Sequence, residues 1–236
     1  HSDIVRQKKL MRFFRPFLHR FLRRADRIIV TSPSLLESSE ELQLYREKIT
    51  VVPSSVDLDE VDRPVLRTFD LGVSPGEKVV LFVGRLSYYK GLEYLIEAMR
   101  EIEAKLLVVG EGELRKALEE RAKSLQVDSK VVFLGRVSDE VLQYCYEICD
   151  VFVLPSIEKT EAFGLVQLEA MAHGKPVVNT RLPTGVPFVS IDGETGLTVE
   201  PRNARALALA VNSLLKNEEL RRRYGIQGRK RVEENF

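Results

Sequence analysis

The chain has 236 residues, of which 44% are hydrophobic and 30% are charged, as in an ordinary soluble globular protein. This composition excludes a disordered chain, a collagen and a disulfide-rich miniprotein, and no apolar run approaches the roughly 20 residues that a membrane span requires. The net charge is +1, but the first 27 residues carry +7 and the remainder −6, so bulk nucleic-acid binding is disfavoured.

The first 52 residues form too few elements to cover a sheet on both faces. Apolar periodicity there predicts two helices and two strands, and the first helix is strongly basic. The predicted elements are a helix over 5–24, a strand over 27–31, a helix over 34–45 and a strand over 49–52.

Residues 57–75 are polar and contain proline, which is typical of a linker. We therefore divide the chain into the end of one domain with its linker, residues 1–60, and a nearly whole second domain, residues 61–236.

From residue 78 onward, strands and helices alternate. Continuous apolar runs are typical of parallel strands buried on both faces, and the segments between them have helical spacing. Such alternation predicts right-handed βαβ units and an α/β fold with a doubly wound, parallel, Rossmann-like sheet. Strands are predicted at 78–83, 105–109, 131–134, 150–154, 176–179 and 197–199, and helices at 92–102, 114–125, 138–145, 164–172, 204–215 and 218–232.

Cysteine and histidine usage points away from disulfides and metal centres. Cys145 and Cys149 lie four positions apart in a helical pattern, too few for a disulfide framework and wrongly spaced for a zinc ribbon. We expect buried thiols in a reducing compartment. Because no signal peptide is recognisable either, the sequence predicts a cytoplasmic protein.

Two basic residues bracket the turn after the first strand of the alternating region. That strand ends at Gly84, and Arg85 and Lys90 flank the short turn into the next helix. Ligands of doubly wound sheets bind beyond the carboxyl ends of the strands. Two cations there, beside helix N-terminal amides, suit a diphosphate. The alternative is a pair of solvated surface cations at a helix start.

Two glutamates flank the start of another predicted helix, after the strand that ends at Pro155. Glu161 and Glu169 have seven residues between them, and Gly164 would let the backbone approach a ligand closely. Free N–H groups at the helix start could hold a phosphate. Glu169 could accept hydrogen bonds from a ribose diol, and Glu161 could meet sugar hydroxyls or a developing positive charge. The alternative is two solvated glutamates.

Residues 109–113 (VGEGE) look like the start of a dinucleotide-binding fingerprint. The third glycine position is Arg115, and the next strand ends at Gly135 without a ribose-binding acid. A nicotinamide site is therefore disfavoured, and we expect Gly110 and Gly112 to form a tight turn that lines the cleft. The sequence contains no Walker A motif.

Together these motifs resemble the retaining glycosyltransferases of family 4 (glycosyl transferase group 1), which have the GT-B fold. The resemblance covers residues 75–236 and implies their C-terminal, nucleotide-sugar-binding lobe. The matching segments are GR at 84–85, KG at 90–91, VGEG at 109–112, PS at 155–156, EAFGLVQLEAMA at 161–172, GKPVV at 174–178 and DGETG at 192–196.

Residues 1–60 resemble the end of that family's N-terminal acceptor domain, through HSDIV at 1–5, ADRIIVTS at 25–32 and KITVVP at 48–53. The family often continues with Asn-Gly-Val-Asp, where this chain has SSVD at 54–57. Most of the acceptor lobe would be absent, so the resemblance implies a fragment that lacks transfer activity by itself.

The resemblance also implies roles for individual residues. Arg85 and Lys90 would neutralise the diphosphate, Glu161 would meet the donor sugar and Glu169 would hold the ribose. His1 would reach the donor sugar from the acceptor lobe, unless it is a leftover tag residue. No metal and no cofactor besides the donor are implied. The remaining donor-binding positions are Gly84, Gly110, Arg136, Val137, Phe163, Gly164, Leu165 and Val166.

The implied function is transfer of a sugar from a nucleotide-diphosphate sugar to a sugar or lipid-linked acceptor, with retention of anomeric configuration. The setting would be bacterial or archaeal polysaccharide or glycolipid synthesis. Two alternatives stay open: a nucleotide-sugar epimerase on the same fold, and a non-catalytic nucleotide-binding module. No nucleic-acid partner is expected.

The basic helix at 5–24 has two interpretations. Arginines and lysines interleave with phenylalanines and leucines, a pattern that suits a helix lying on an anionic membrane. Alternatively, the helix packs inside the missing acceptor lobe with its basic face in solvent.

Overall fold

The computed structural model describes residues 8–65 and 67–236, with side chains from Phe13 onward. His1 and residues 5–7 of the predicted basic helix lie outside the described residues. Among the helices of the described part, none combines the length and apolarity needed to cross a bilayer.

Two short strands form a small parallel sheet near the start of the chain. Helix α1 (Lys8–Arg24) precedes β1 (Ile28–Val30), which pairs with β2 (Ile49–Val51). The prediction of one helix over 34–45 is wrong, because Ser39 is extended (φ −98°, ψ 108°) and interrupts it. Serine favours such breaks because its hydroxyl competes for backbone hydrogen bonds. The two pieces are α2 (Pro33–Ser38) and α3 (Glu40–Gln43).

Six parallel strands form the larger sheet, which confirms the doubly wound α/β prediction. The strands are β3 (Val79–Val83), β4 (Lys105–Val109), β5 (Val131–Gly135), β6 (Val151–Leu154), β7 (Val177–Thr180) and β8 (Gly196–Val199). Their spatial order is β5-β4-β3-β6-β7-β8. The order reverses between β3 and β6, and ligands of such sheets bind at this switch point.

Helices cover both faces of the larger sheet. Alternate residues of β3 enter opposite layers: Val80 and Phe82 pack in one hydrophobic cluster, and Leu81 and Val83 in the other. The helices that cover the sheet are α5 (Leu92–Ala98), α6 (Arg115–Ser124), α7 (Asp139–Ile148), α8 (Val166–Ala172), α9 (Val186–Val189), α10 (Ala204–Lys216) and α11 (Glu218–Asn235). Helices α5, α6 and α10 cover the first cluster, α7, α8 and α9 cover the second, and α11 contacts both.

Both cysteines lie in the core, as the sequence predicts. Cys145 and Cys149 are unpaired and buried. Burial raises the pKa of each thiol to about 12, so neither is a reactive thiolate at neutral pH.

The segment expected to be a free linker packs against the larger domain instead. It contains a short helix, α4 (Leu58–Val61), and its Leu71 is buried in the second cluster. The Arg229 guanidinium donates to both carboxylate oxygens of Asp62 at 2.8 Å. Polar residues that look like a linker in sequence are therefore partners of surface groups on α7 and α11.

Candidate functional site

The loops that follow β3 and β6 are held together at the switch point of the sheet. The N–H of Ile157 donates to the carbonyl of Tyr89 at 2.8 Å. Gly91 has a φ of +64°, and a Cβ there would lie 2.2 Å from the carbonyl oxygen of Pro155. Glycine is required because any side chain would push the two loops apart.

This contact brings Lys90 and Glu161 into a buried ion pair. Lys90 Nζ lies 2.6 Å from Glu161 Oε2, and the two side chains are only 9% and 10% exposed. The Ser156 hydroxyl donates to the same oxygen at 2.9 Å, and the Thr180 hydroxyl donates to the Ser156 carbonyl. No described residue bonds to Glu161 Oε1, which leaves that oxygen as an acceptor.

Arg85 differs from Lys90 in its surroundings, although the sequence predicts one role for both. Arg85 is exposed, whereas Lys90 is buried. A Cβ at Gly84 would lie 3.4 Å from Lys90 Nζ, so this glycine leaves room for the ammonium group. The site thus has one cation fixed by packing and another free to move toward a ligand.

A cavity of about 390 Å³, the first cavity, opens beside this ion pair. The small sheet contributes to it through Thr31, and Ser54 contributes from the following segment. The N–H groups of Leu165 and Val166 donate to no other described residue, so they are available to an anion. The lining residues are Thr31, Ser54, Lys90 and Thr160–Val166.

Phe163 lines the first cavity, but its ring is held by packing against another aromatic side chain. The residue is 6% exposed and packs edge-to-face on Phe236, with ring centroids 6.0 Å apart. The next residue, Gly164, has a φ of +75°, a left-handed conformation that favours glycine.

Gly110 and Gly112 pack closely against the loop that follows β3. A Cβ on Gly110 would lie 2.0 Å from the carbonyl oxygen of Gly84, and one on Gly112 would lie 2.3 Å from that of Leu86. The close approach of the two loops is sufficient to explain why glycine stands at both positions, and this explanation needs no bound nucleotide.

Glu169 lies apart from the ion pair, in a second cavity of about 180 Å³ between α4, α7 and α8. Its Oε2 accepts a 2.7 Å hydrogen bond from the Tyr146 hydroxyl. Burial raises the pKa of Glu169, an effect that the Tyr146 hydrogen bond opposes and that nearby Glu60 reinforces. The carboxylate is thus partly desolvated and held by a neutral donor.

Arg136 and Val137 follow β5, beyond β4 and away from the Lys90–Glu161 pair. Arg136 is exposed and Val137 is half-buried. Gly135 has a φ of +70°, and a Cβ there would lie 2.6 Å from Glu111 Oε1. The loop therefore presents the Arg136 side chain to solvent at this end of the sheet.

Sequence reasoning missed Ser156, Thr180 and Tyr146. Ser156 follows Pro155 in one of the recognised motifs, but nothing in its spacing indicates that it bonds Glu161. Tyr146 follows the apolar pattern of α7, which marks it as core and hides its hydroxyl. Within the described chain, no cluster of three or more histidine, cysteine, aspartate or glutamate side chains could hold a metal ion.

Comparison with known proteins identifies the family. The profile of the glycosyl transferases group 1 matches residues 67–231. The chain belongs to this family. A second profile, that of Glycosyltransferase Family 4, matches residues 1–60. The resemblance of the motifs to group 1 glycosyl transferases is therefore confirmed.

Curated relatives of this group 1 glycosyl transferase match its whole length. It is 35% identical to the O-antigen chain mannosyltransferase C of Escherichia coli, covering 100% of the chain and 63% of that protein. It is also 35% identical to the D-rhamnosyltransferase WbpZ of Pseudomonas aeruginosa, covering 100% and 62%. The chain thus spans less than two thirds of these relatives.

Solved structures share the fold. The sucrose-phosphate synthase of Thermosynechococcus elongatus is 32% identical, with a TM-score of 0.77 over 92% of this chain and 56% of that one. The Anabaena protein HepE in complex with UDP has a TM-score of 0.84 over 100% of this chain and 66% of that one. At 21% identity, this second likeness concerns the fold alone.

Proposed function

We propose that the chain carries the donor site of a retaining glycosyltransferase, which moves a sugar from a nucleotide-diphosphate sugar to an acceptor. The observation that carries the proposal is the buried Lys90–Glu161 ion pair at the switch point, beside unpaired backbone N–H groups. A fixed ammonium group and free amides suit a diphosphate. The free Glu161 oxygen suits a sugar hydroxyl.

Arg85 and Lys90 would act by electrostatic stabilisation. The C1–O bond to the diphosphate breaks, and negative charge grows on the departing phosphate oxygen. Contacts that strengthen with this charge lower the barrier. For retention, the acceptor oxygen bonds to C1 from the same face, and its proton passes to the departing phosphate.

The acceptor and setting follow from the relatives. Two relatives that match the whole length of this chain are named as an O-antigen mannosyltransferase and a rhamnosyltransferase. We infer a polysaccharide or glycolipid acceptor, a cytoplasmic location and a bacterial or archaeal setting. Transfer would need more of an N-terminal acceptor lobe, because Thr31 and Ser54 alone among the described residues line the first cavity on that side. Residues 1–60 would belong to that lobe and its linker, and the isolated chain would bind donor without turning it over.

Calorimetric titration of the chain with UDP, GDP, ADP and NAD tests the site. We expect one nucleoside diphosphate to bind, with affinity reduced at least about tenfold in Arg85→Ala and in Glu169→Ala. Arg205→Ala, an exposed arginine on α10, is the matched control and should bind like the parent chain. Binding of NAD that ignores both site variants would contradict the proposal, as would failure of every diphosphate to bind.

A product assay on the longer protein separates the alternatives. A transferase yields a glycosylated acceptor, an epimerase yields an altered sugar nucleotide without acceptor, and a binding module yields neither. Retention requires that the new glycosidic bond have the anomeric configuration of the donor, which nuclear magnetic resonance of the product measures.

We also propose that α1 contacts an anionic membrane surface. Phe13, Phe17 and Phe21 are 78%, 69% and 71% exposed. At 3.6 residues per turn they lie within about 80° of the helix circumference. On the same helix, Arg20 borders this arc and Arg24 lies within it, and both are exposed. An exposed aromatic face edged by arginine complements anionic headgroups.

Sedimentation with vesicles tests this contact. The parent chain should bind vesicles that contain phosphatidylglycerol more than pure phosphatidylcholine vesicles. Replacing the three phenylalanines with serine should abolish binding. Serine at Leu209 and Ile226, exposed apolar residues on α10 and α11, should not. If the variant with serine at the three phenylalanines sediments as much as the variant with serine at Leu209 and Ile226, the result would instead indicate that α1 packs inside an acceptor lobe.

A further inference from the structure

A buried tyrosine holds the carboxylate of Glu169 in one orientation. The Tyr146 side chain is 1% exposed, and its hydroxyl lies 2.7 Å from Glu169 Oε2. The next acceptor, the Val166 carbonyl oxygen, lies farther away at 3.5 Å. A buried phenol normally donates to a partner, and a carboxylate is the stronger acceptor. The short bond therefore goes to Glu169.

The ring of Tyr146 cannot easily swing away from this position. It stacks on His173, with centroids 5.0 Å apart and planes 21° from parallel, and contacts Phe152 at 6.0 Å. His173 is itself fixed, because its Nδ1 lies 2.8 Å from the Glu169 backbone carbonyl oxygen. Packing therefore fixes the direction of the Tyr146 hydroxyl, and the hydrogen bond restricts rotation of the Glu169 carboxylate on α8.

The Tyr146 hydroxyl donates to one carboxylate oxygen of Glu169, Oε2. Because this bond restricts rotation of the carboxylate, it also fixes the direction of the other oxygen, Oε1. No described residue bonds to Glu169 Oε1, and Glu169 lines the second cavity. A ribose presents two adjacent hydroxyl donors, and a carboxylate that is already oriented loses less entropy on accepting them.

We propose that Tyr146 is a positioning residue that orients Glu169 toward the ribose hydroxyls of the bound nucleotide. This proposal rests on the proposed function. Tyr146 also lines the second cavity, but it is only 1% exposed and its hydroxyl is bonded to Glu169, so it acts through that carboxylate. Its effect is selective for ligands that carry the two hydroxyl groups that Glu169 accepts. Loss of the Tyr146 hydroxyl therefore weakens ribonucleotides and leaves the corresponding 2′,3′-dideoxyribonucleotides unchanged.

The test compares Tyr146→Phe with the parent chain, using the nucleoside diphosphate that the titration selects and its 2′,3′-dideoxy form, which lacks both hydroxyl groups. We expect Tyr146→Phe to bind the ribonucleotide about fivefold to tenfold more weakly, while affinity for the 2′,3′-dideoxy form changes less than about twofold. The ratio of the two affinities does not depend on the folded fraction, since both ligands meet the same sample. A general structural defect would weaken both ligands alike.

Tyr144→Phe is the matched control on the same helix. Its ring is half-buried and packs edge-to-face on Phe69 at 5.5 Å, and its hydroxyl forms no hydrogen bond to the described chain. It should leave both affinities unchanged. If Tyr146→Phe does not fold, His173→Leu removes the stacking ring and should give a ribonucleotide-specific loss of about twofold to threefold.

The possible results are distinguishable. Equal weakening of the ribonucleotide and its 2′,3′-dideoxy form, or no weakening of either, overturns the role of Tyr146 and leaves the donor site standing. A parent chain that binds no nucleoside diphosphate overturns both proposals. A ribo-specific loss in Tyr146→Phe supports both.

Discussion

Glu161 and Glu169 occur in one short segment, yet the structure gives them different partners. Glu161 lies on a loop and forms an ion pair with Lys90 at 2.6 Å. Glu169 lies within α8 and accepts a hydrogen bond from the neutral Tyr146 hydroxyl at 2.7 Å. The first carboxylate is compensated by a charge, whereas burial raises the pKa of the second.

The comparison shows that the surroundings of each carboxylate, rather than its residue type, determine the role to which it is suited. In a buried ion pair, each charged group is compensated by its partner and held close to it. A hydrogen bond from a neutral donor fixes the orientation of a carboxylate, but it offsets only part of the free-energy cost of removing the charged group from water. The ion pair suits a site of charge development, and the oriented carboxylate suits neutral hydroxyl groups.

Breaking the ion pair should have the largest effect on stability. Glu161→Ala leaves the Lys90 ammonium buried without its partner, which should lower the free energy of unfolding by about 3–5 kcal/mol. Urea denaturation followed by circular dichroism measures this. The double variant Lys90→Ala/Glu161→Ala should lose less than Glu161→Ala alone, because no buried charge is left.

An exposed ion pair provides the control for that experiment. Arg181 and Glu200 are 56% and 67% exposed and lie 2.9 Å apart. Glu200→Ala should change the free energy of unfolding by less than about 0.5 kcal/mol. If Glu161→Ala lowers the free energy of unfolding by no more than Glu200→Ala does, the Lys90 ammonium group must be hydrated in the absence of its partner.

Gly91→Ala should separate the two loops on the Glu161 side and spare the Glu169 side. The added Cβ meets the Pro155 carbonyl oxygen at 2.2 Å, and the left-handed conformation adds its own cost. We expect a loss of about 2–3 kcal/mol in the free energy of unfolding.

Gly174→Ala is the matched control for Gly91→Ala, since Gly174 has a φ of +66° with nothing within 4 Å of the added Cβ. It should lose only about 1 kcal/mol, the cost of the backbone conformation alone. Equal losses in the two variants would show that loop packing contributes little.

Glu169→Gln should have the smallest effect, and one that depends on pH. Burial raises the folded-state pKa above the unfolded value, so ionisation of Glu169 destabilises the fold as pH rises through that window. The variant should therefore match the parent near pH 4 and exceed it at pH 7–8, by about 1 kcal/mol at most. Thermal melts at both pH values measure this. A variant that is less stable than the parent at pH 7–8 would show that Glu169 is well compensated as a carboxylate.

Much of the fold could be predicted because it depends on local pattern. The apolar runs of β3 and β4 and the helical spacing around Leu95 are short-range signals that the structure bears out. The helix over 34–45 was predicted wrongly, since serine favours helix breaks without requiring them, and the apolar pattern on either side of Ser39 does not reveal its extended conformation.

The candidate site was predicted in part for a similar reason. Motif order located the loops that carry Lys90 and Glu161, but not the bond between them. Tyr146 was missed altogether, because a tyrosine in an apolar helical pattern looks like core until a carboxylate is found at its hydroxyl. The roles of Arg85, Arg136 and the other donor-binding positions stay predictions.

By itself the sequence determined the alternation of strands and helices, the family and the loops where chemistry would occur, because these depend on spacing along the chain. Only the tertiary structure decided which groups meet. It paired Lys90 with Glu161, aimed Tyr146 at Glu169 and placed residues 56–73 on the larger domain. Such contacts join positions that are 20 or more residues apart in the chain, and side-chain packing in three dimensions selects them.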